Sequence, residues 1–237
     1  RAAMIGTCHS LAFRVLRRLS SPQPSSKRLL HTWEKERILR RLVQHRRFGS
    51  DPVEIEERIT RLKACAAVTD GDQELLTLYA QEKGPCRMDF QDLLIDATQL
   101  LISAEEWRIL YQSSYTHVLI DEAQDLDPLQ ARFIARFLPP QNVLTVFMDP
   151  DQTIYSYAGA DPDALLHLCA DFPKTMIELR TNYRSHPGVL GATQRLIRHN
   201  GSMRTMAPVR TGEGRPHFAR VRDEIVEACV VAETVHG

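Results

Sequence analysis

Hydrophobic residues recur at helical spacing through the first half of the chain. Leu11, Val15 and Leu19 lie four residues apart and predict a helix over about residues 9–19, which follows the end of a strand at residues 4–7. Two prolines within residues 20–26 predict a linker. From about residue 33 to residue 110 the spacing indicates more helices, with apolar stripes at Ile38 and Leu42; Ile55, Ile59 and Leu62; Leu75, Leu76 and Tyr79; and Phe90, Leu93, Leu94, Ala97 and Leu101.

The second half of the chain alternates short apolar runs with helical segments. Strands that alternate with helices predict a parallel sheet with right-handed crossovers, so the helical stretch before them is interpreted as an insertion. The predicted strands cover residues 118–120, 143–148, 176–179 and 217–221, and the predicted helices cover residues 128–138, 163–169, 187–199 and 224–235.

The composition is that of an ordinary soluble globular protein. Hydrophobic residues make up 43% and charged residues 25% of the 237 positions. No apolar run approaches the roughly 18 residues that a membrane helix needs, so no membrane partner is expected. The five cysteines include no C-x-x-C pair, which favours reduced thiols in a cytoplasmic protein and argues against a structural zinc site.

Charge is distributed unevenly along the chain. Residues 1–50 carry 12 Lys and Arg against two Glu, whereas residues 51–175 carry 9 basic against 22 acidic residues. A basic segment is a candidate surface for nucleic-acid phosphates, and a solvated helix face is the alternative.

Two adjacent carboxylates, Asp121 and Glu122, directly follow the apolar run at residues 118–120. A strand covered on both faces explains the run, but two acids at its end repel each other unless something positive lies there. Ligands bind at this edge of parallel sheets. A magnesium-nucleotide accounts for both acids, because one would hold the metal and the other would polarise the attacking water. A strand that leads into an acidic loop is the alternative.

Another polar segment, residues 149–152, follows the strand predicted at residues 143–148, so we expect it at the same sheet edge as Asp121 and Glu122. The amide of Gln152 is suited to donate to a phosphate oxygen or to orient a water molecule. Tyr155 and Tyr157 offer flat faces on which bases stack.

A third polar segment, residues 182–185, follows the strand predicted at residues 176–179. Its Arg184 is suited to stabilise charge on a transferring phosphoryl group. Each segment alone is explained by a turn or by surface packing. Three of them in order at strand ends predict a nucleotide site.

Taken together, these segments resemble the UvrD/Rep-type superfamily 1 DNA helicases. The family's Asp-Glu-x-Gln box matches residues 121–124, its Asp-x-x-Gln-Ser-Ile-Tyr box resembles residues 149–155, and its Asn-Tyr-Arg-Ser box matches residues 182–185. A DNA-contacting box resembles Gly6-Thr7-Cys8-His9-Ser10, and an acidic-aromatic box is similar to residues 88–94.

The resemblance implies an α/β fold, namely a RecA-like P-loop NTPase parallel sheet with an inserted all-helical subdomain. The expected first RecA-like domain begins within residues 1–19 and continues at 113–175. The helical insertion is expected at residues 20–112, and the start of the second RecA-like domain at 176–237.

The resemblance also implies the cofactors ATP and Mg²⁺ and the partner single-stranded DNA. Asp121 would bind Mg²⁺ and Glu122 would activate the hydrolytic water. Gln152 would sense the γ-phosphate, and Arg184 would contact it in the transition state. Tyr183 would stack on adenine. The implied contacts to the single strand are Thr7, His9, Tyr155 and Tyr157.

The pattern G-x-x-x-x-G-K-[ST] does not occur in the 237 residues. Without that loop and its lysine, Mg-ATP loses most of its anchoring. We therefore expect the chain to be an internal part of a longer helicase, with the other helicase segments as its partners. Alone it should have negligible ATPase and helicase activity. DNA repair is the usual setting of the family.

Two other functions are compatible with the residues. One is a non-enzymatic helicase-like module that binds nucleic acid or a partner protein through the basic first 50 residues. The other is a metal-dependent phosphohydrolase or nuclease, which leaves Gln152 and Arg184 without a role. Its acids would be Asp121, Glu122, Asp125 and Asp149.

Overall fold

The computed structural model of the protein describes residues 3–19, 27–45, 48–64, 69–138, 143–154, 159–161, 163–168, 170, 175–199, 201, 204–212 and 214–236. The chain divides into two units, Arg1–Pro173 and Lys174–Gly237, and each is described by itself. The linker predicted at residues 20–26, Tyr155 and Tyr157 lie outside the described residues. The domain bounds given above stay predictions.

The first part of unit one is mainly helical, as predicted. Its elements are α1 (Cys8–Leu19), β1 (Arg28–Leu29), α2 (Thr32–Gln44), α3 (Pro52–Ala64), α4 (Asp70–Lys83), β2 (Arg87–Met88), α5 (Phe90–Ser103) and α6 (Glu105–Ser114). Two expectations were wrong. The segment expected to be an all-helical insertion is not all-helical, because β1 and β2 pair in parallel, with Arg28 opposite Arg87 and Leu29 opposite Met88. Residues 4–7 form no strand, and α1 begins directly after Thr7.

The apolar stripes of these helices bury themselves in two clusters. One joins α1, α5, α6 and α7 (Pro128–Ala135) through residues such as Val15, Leu94, Tyr111 and Phe133. The other joins α2, α3 and α4 through Leu42, Ile55 and Leu75. The helical spacing in the sequence therefore corresponds to the observed buried faces.

A buried group of charges connects α3, α4 and the start of α5. The Lys63 ammonium lies 2.5 Å from the Asp89 carboxylate and 2.7 Å from that of Asp92. Lys83 pairs with Asp92, and the Tyr79 hydroxyl donates to Asp89 at 2.8 Å. Asp89 also caps α5, since its Oδ1 accepts the Asp92 N–H at 2.8 Å. Buried charges of both signs thus satisfy one another and fix the entry of α5.

A second parallel pair of strands in unit one is longer than the pair of β1 and β2. In it β3 (His117–Ile120) runs beside β4 (Val143–Val146), with His117 opposite Val143 and Ile120 opposite Val146. The pairing continues past the strand ends, where the Phe147 N–H donates to Ile120 and the Ala123 N–H donates to Phe147. The crossover is α7, which Asp127 caps and Pro128 begins. The predicted strands at 118–120 and 143–148 are confirmed, although β4 ends two residues earlier.

The expectation that β3 is covered on both faces was wrong for the described residues. Ile120 packs in a cluster with Ala131, Ile134 and Leu165 of α7 and α8 (Ala164–Leu168). The opposite face carries Leu119, which is 67% exposed. Burial therefore alternates along the strand with a period of two, the pattern of a sheet covered on one face.

Unit two contains β5 (Thr181–Asn182), α9 (Pro187–Arg198), β6 (Ala207–Pro208) and α10 (Glu224–His236). The two helices confirm the predicted segments, and β5 pairs in parallel with β6. The strands predicted at residues 176–179 and 217–221 were wrong. Met176 and Ile177 are 95% and 80% exposed, and this segment pairs with no strand in the part of unit two that the structure describes.

None of the described helices has both the length and the apolar character required to cross a membrane.

Candidate nucleotide site at the ends of two parallel strands

Asp121 and Glu122 lie directly after β3, at the carboxyl end of the strand pair. Both side chains are exposed, and Asp121 Oδ1 accepts the backbone N–H of Glu122 at 3.1 Å. Glu122 adopts φ 51° and ψ 45°, and it is the one non-glycine residue with positive φ among the described residues. Such a conformation costs an L-residue free energy and persists where the surroundings enforce it, often at functional sites.

Asp149 and Gln152 lie at the neighbouring strand end, after β4. The Asp149 carboxylate accepts the Asp151 N–H at 3.1 Å through Oδ1 and caps the 3₁₀ turn Pro150–Gln152. Its Oδ2 accepts from the Gln152 amide at 2.6 Å. Because β3 and β4 are parallel neighbours, the Asp121–Glu122 and Asp149–Gln152 segments share one edge of the sheet.

Gln124 connects these two segments, and the sequence argument gave it no role. It is 1% exposed, its Nε2 donates to Glu122 Oε2 at 2.6 Å, and its Oε1 accepts the Asp149 N–H at 3.0 Å. The sequence signal that could have found it is a glutamine between acidic residues, because an amide side chain can donate and accept hydrogen bonds at the same time.

The side-chain oxygens at this edge fit Mg²⁺ bound together with a nucleotide better than a metal ion coordinated by protein side chains alone. The described residues contain no group of three His, Cys, Asp or Glu side chains placed to hold a metal ion. Mg²⁺ in nucleotide sites is held by one or two carboxylates together with phosphate oxygens and water, and Asp121 offers such a carboxylate.

The same arrangement does not support the nuclease alternative. Asp149 is engaged with Gln152, and Asp125 Oδ1 is buried without a hydrogen-bond partner among the described residues. Nor does any group of three of these acids lie close enough to hold a metal ion among the described residues.

Thr7 and His9, the candidate DNA contacts, lie at the start of α1. Thr7 is exposed, and its hydroxyl accepts the Ser10 N–H at 3.2 Å, so it caps the helix. His9 is half-buried and meets the ring of Phe90 edge to face at 5.3 Å. Burial lowers the pKa of His9, and the nearby carboxylate of Asp127 opposes this shift.

Tyr183 and Arg184 lie in unit two, where β5 turns toward α9. Asn182 Oδ1 accepts the N–H groups of Arg184 at 3.0 Å and Ser185 at 2.8 Å, which folds the Asn-Tyr-Arg-Ser segment into a tight turn. Arg210 donates to the Arg184 carbonyl at 3.0 Å. Both Tyr183, which is 73% exposed, and Arg184 present their side chains to solvent.

Several helicases are similar in sequence to this chain. UvrD2 of Mycobacterium tuberculosis, an ATP-dependent DNA helicase, is 33% identical over 68% of the chain and 24% of its own length. The ATP-dependent DNA helicases Rep of Escherichia coli and PcrA of Leuconostoc citreum are 29% and 27% identical over 84% of the chain, covering 32% and 29% of their lengths. The chain thus spans about a quarter to a third of these relatives.

The family model of the UvrD/REP helicase N-terminal domain matches residues 54–173, which are 120 of the 237 positions. This range contains both β3 and β4 and the polar segments at their carboxyl ends. The chain belongs to the UvrD/Rep family of helicases.

Proposed function

We propose that this chain is the part of an ATP-dependent DNA helicase that couples hydrolysis of Mg-ATP to movement on single-stranded DNA. The observation that carries the proposal is the register of β3 and β4, which puts the Asp121–Glu122 and Asp149–Gln152 segments side by side. The names of the relatives, all ATP-dependent DNA helicases, support the same reaction.

Within unit one, Asp121 would hold Mg²⁺ and Glu122 would accept a proton from the attacking water. Bound Mg²⁺ would neutralise charge on the phosphates. Gln152 would donate one amide N–H to the γ-phosphate while the other keeps its bond to Asp149. We propose a RecA-like fold for this part of the molecule, since a parallel strand pair with an α-helical crossover is the basic unit of such sheets.

Unit two would supply Arg184 and Tyr183. A guanidinium on an exposed turn is suited to contact a phosphoryl group in the transition state, and the exposed Tyr183 ring is suited to stack on adenine. We also propose that the protein works in the cytoplasm, since the described cysteines, Cys8, Cys86 and Cys229, are all free. DNA repair is proposed as its setting from the family resemblance alone.

Single-stranded DNA would bind along the basic amino-terminal part of the chain, and substitutions in α1 test this. The helix begins after Thr7, contains His9 and exposes Arg14 and Arg17. We expect the chain to bind an oligothymidine with an affinity that falls as salt rises. Arg14→Gln combined with Arg17→Gln should weaken binding and reduce the slope of log K against log [salt] by about 1.4, because each phosphate contact to a single strand contributes about 0.7.

Fluorescence anisotropy over a salt series measures both quantities. Arg108→Gln, on α6 of the acidic segment, is the matched control and should leave affinity and slope unchanged. Binding that does not depend on salt, or an equal loss with Arg108→Gln, would exclude α1 as the phosphate-contact surface.

A non-enzymatic module is the second candidate function, because the phosphate-loop pattern is absent from this sequence. It predicts the same salt-dependent DNA binding. An ATPase assay on the polypeptide encoded by the full reading frame separates the two functions. A helicase would hydrolyse ATP in response to DNA, and a non-enzymatic module would not.

A further inference from the structure

Gln124 is a buried amide whose two ends contact different strand ends. It belongs to the 3₁₀ turn Ala123–Asp125 and is 1% exposed. A buried amide lowers stability unless its donor and acceptor are both satisfied. Here the donor bonds to the Glu122 carboxylate at 2.6 Å and the acceptor receives the Asp149 N–H at 3.0 Å. The side chain therefore bridges the segments that follow β3 and β4.

The row of hydrogen bonds continues from Asp149 to Gln152. Asp149 Oδ2 accepts from Gln152 Nε2 at 2.6 Å. One uninterrupted series of hydrogen bonds thus joins Glu122, Gln124, Asp149 and Gln152. Gln124 bonds the backbone N–H of Asp149, and the Asp149 carboxylate in turn bonds Gln152. Hydrogen bonds to charged groups are stronger than those between neutral groups, and both ends of this series are of the stronger kind.

The backbone at Glu122 explains why such a support is needed. Its left-handed conformation, with φ 51°, is unfavourable for an L-residue with a side chain. The following residue, Ala123, is held by its N–H bond to Phe147 at 3.0 Å. Gln124 then fixes the carboxylate itself, so the strained residue is held at both its backbone and its side chain.

We propose that Gln124 is a positioning residue that holds the Glu122 carboxylate and links it through Asp149 to the Gln152 amide. Through this link a change in the position of the amide that senses the γ-phosphate is transmitted to the acid that activates water, and the reverse. The roles of Glu122 and Gln152 in this statement rest on the proposed function, whereas the link itself rests on the hydrogen bonds.

The link is tested in the 237-residue chain by nuclear magnetic resonance of the glutamine side-chain amides. Gln124→Met keeps length and apolar volume but removes both hydrogen bonds, and it should move the resonances of the Gln152 amide. Gln130→Met is the matched control. Gln130 accepts the Asp127 N–H at the start of α7, outside the series, so its loss should leave Gln152 unchanged.

A measurement without substitution covers the case in which Gln124→Met does not fold. In the unsubstituted chain, the side-chain amide protons of Gln124 should exchange with water more slowly than those of Gln44, which is exposed on α2. Equal exchange rates for the two amides would overturn the proposed link. So would a folded Gln124→Met chain whose Gln152 resonances stay in place.

The positioning role is tested in the polypeptide of the full reading frame. Gln124→Met should lower kcat for ATP by about 10- to 100-fold with little change in KM, because a hydrogen bond to a charged group is lost while no contact to the nucleotide changes. An unchanged kcat would overturn the role.

If the Gln152 resonances move but Glu122→Gln leaves ATP hydrolysis intact, the link stands and the proposed function fails. If Glu122→Gln abolishes hydrolysis but the resonances do not move, the proposed function stands and the link fails.

Discussion

Glu122→Gln is expected to lower the DNA-stimulated kcat of the intact helicase by about 10²- to 10⁴-fold, the contribution of a positioned general base. The substitution keeps the size of the side chain and removes the charge that, in the proposed function, polarises the attacking water. The amide of glutamine would also face the Gln124 Nε2 donor that now bonds the carboxylate at 2.6 Å. Steady-state ATP hydrolysis at saturating oligothymidine measures the effect.

Two controls make this result specific. Glu106→Gln, at an exposed position in the first turn of α6, removes the same charge from the same unit and should leave kcat unchanged. The 237-residue chain alone should stay at background, since its sequence has no phosphate loop. If Glu106→Gln and Glu122→Gln had equal effects, Glu122 would not be the base. If the chain alone turned over ATP and Glu122→Gln abolished it, the expected inactivity of the chain would be wrong.

Asp89→Asn is expected to lower the free energy of unfolding of unit one by about 3–5 kcal/mol, the usual effect of breaking a buried ion pair. The Asp89 side chain is 3% exposed, bonds Lys63 and Tyr79, and caps α5 by accepting the Asp92 N–H. Asparagine would leave Lys63 and Lys83 with the single carboxylate of Asp92. Denaturant unfolding followed by circular dichroism measures the loss.

Asp96→Asn, within α5, the helix that Asp89 caps, is the matched control. Its carboxylate pairs with Lys27 at 2.8 Å, and both side chains are partly exposed, at 41% for Lys27 and 28% for Asp96. Pairs of this kind contribute at most about 1 kcal/mol. A loss for Asp89→Asn no larger than that for Asp96→Asn would show that the buried charges do not stabilise unit one.

The same carboxylate makes stability depend on pH. Burial alone would raise the pKa of Asp89, but the ammonium of Lys63 and the N–H of Asp92 outweigh burial and hold the pKa at about 2, below the ordinary 3.8. Because the pKa is lower in the folded state, this stabilisation is complete above about pH 4. It is lost as pH falls through about 2, by about 2 kcal/mol. Asp89→Asn should remove this part of the acid sensitivity.

The sequence predicted the parts of the fold that depend on local pattern. Stripes such as Ile55, Ile59 and Leu62 predict helices because one buried face imposes the spacing, and α3 confirms that. The polar residues at 121–122 and 149–152 were placed at one sheet edge from the rule that parallel strands present their carboxyl ends together, and the register of β3 and β4 confirms it.

The features that depend on contacts between distant residues were not visible in the sequence. The pairing of β1 with β2 joins residues 28–29 to 87–88 through backbone hydrogen bonds, which leave no periodic signal in so short a strand. Residues 176–179, which are apolar except for Glu178, resemble a strand. A strand requires a partner, however, and β5 instead forms at Thr181–Asn182 opposite β6. The role of Gln124 likewise depends on where Asp149 lies after folding.

The most direct test of the nucleotide site uses Mn²⁺ as a paramagnetic substitute for Mg²⁺. When millimolar Mn-ATP is added to the isotope-labelled 237-residue chain, we expect the backbone amide signals of Asp121, Glu122 and Gln152 to broaden first, because the ion would lie at the ends of β3 and β4. Asp121→Asn should abolish this broadening. Asp163→Asn, at an exposed acid just before α8, should leave it in place. Broadening that spreads over the acidic surface, or that persists with Asp121→Asn, would contradict the assignment of this strand edge as the magnesium-nucleotide site.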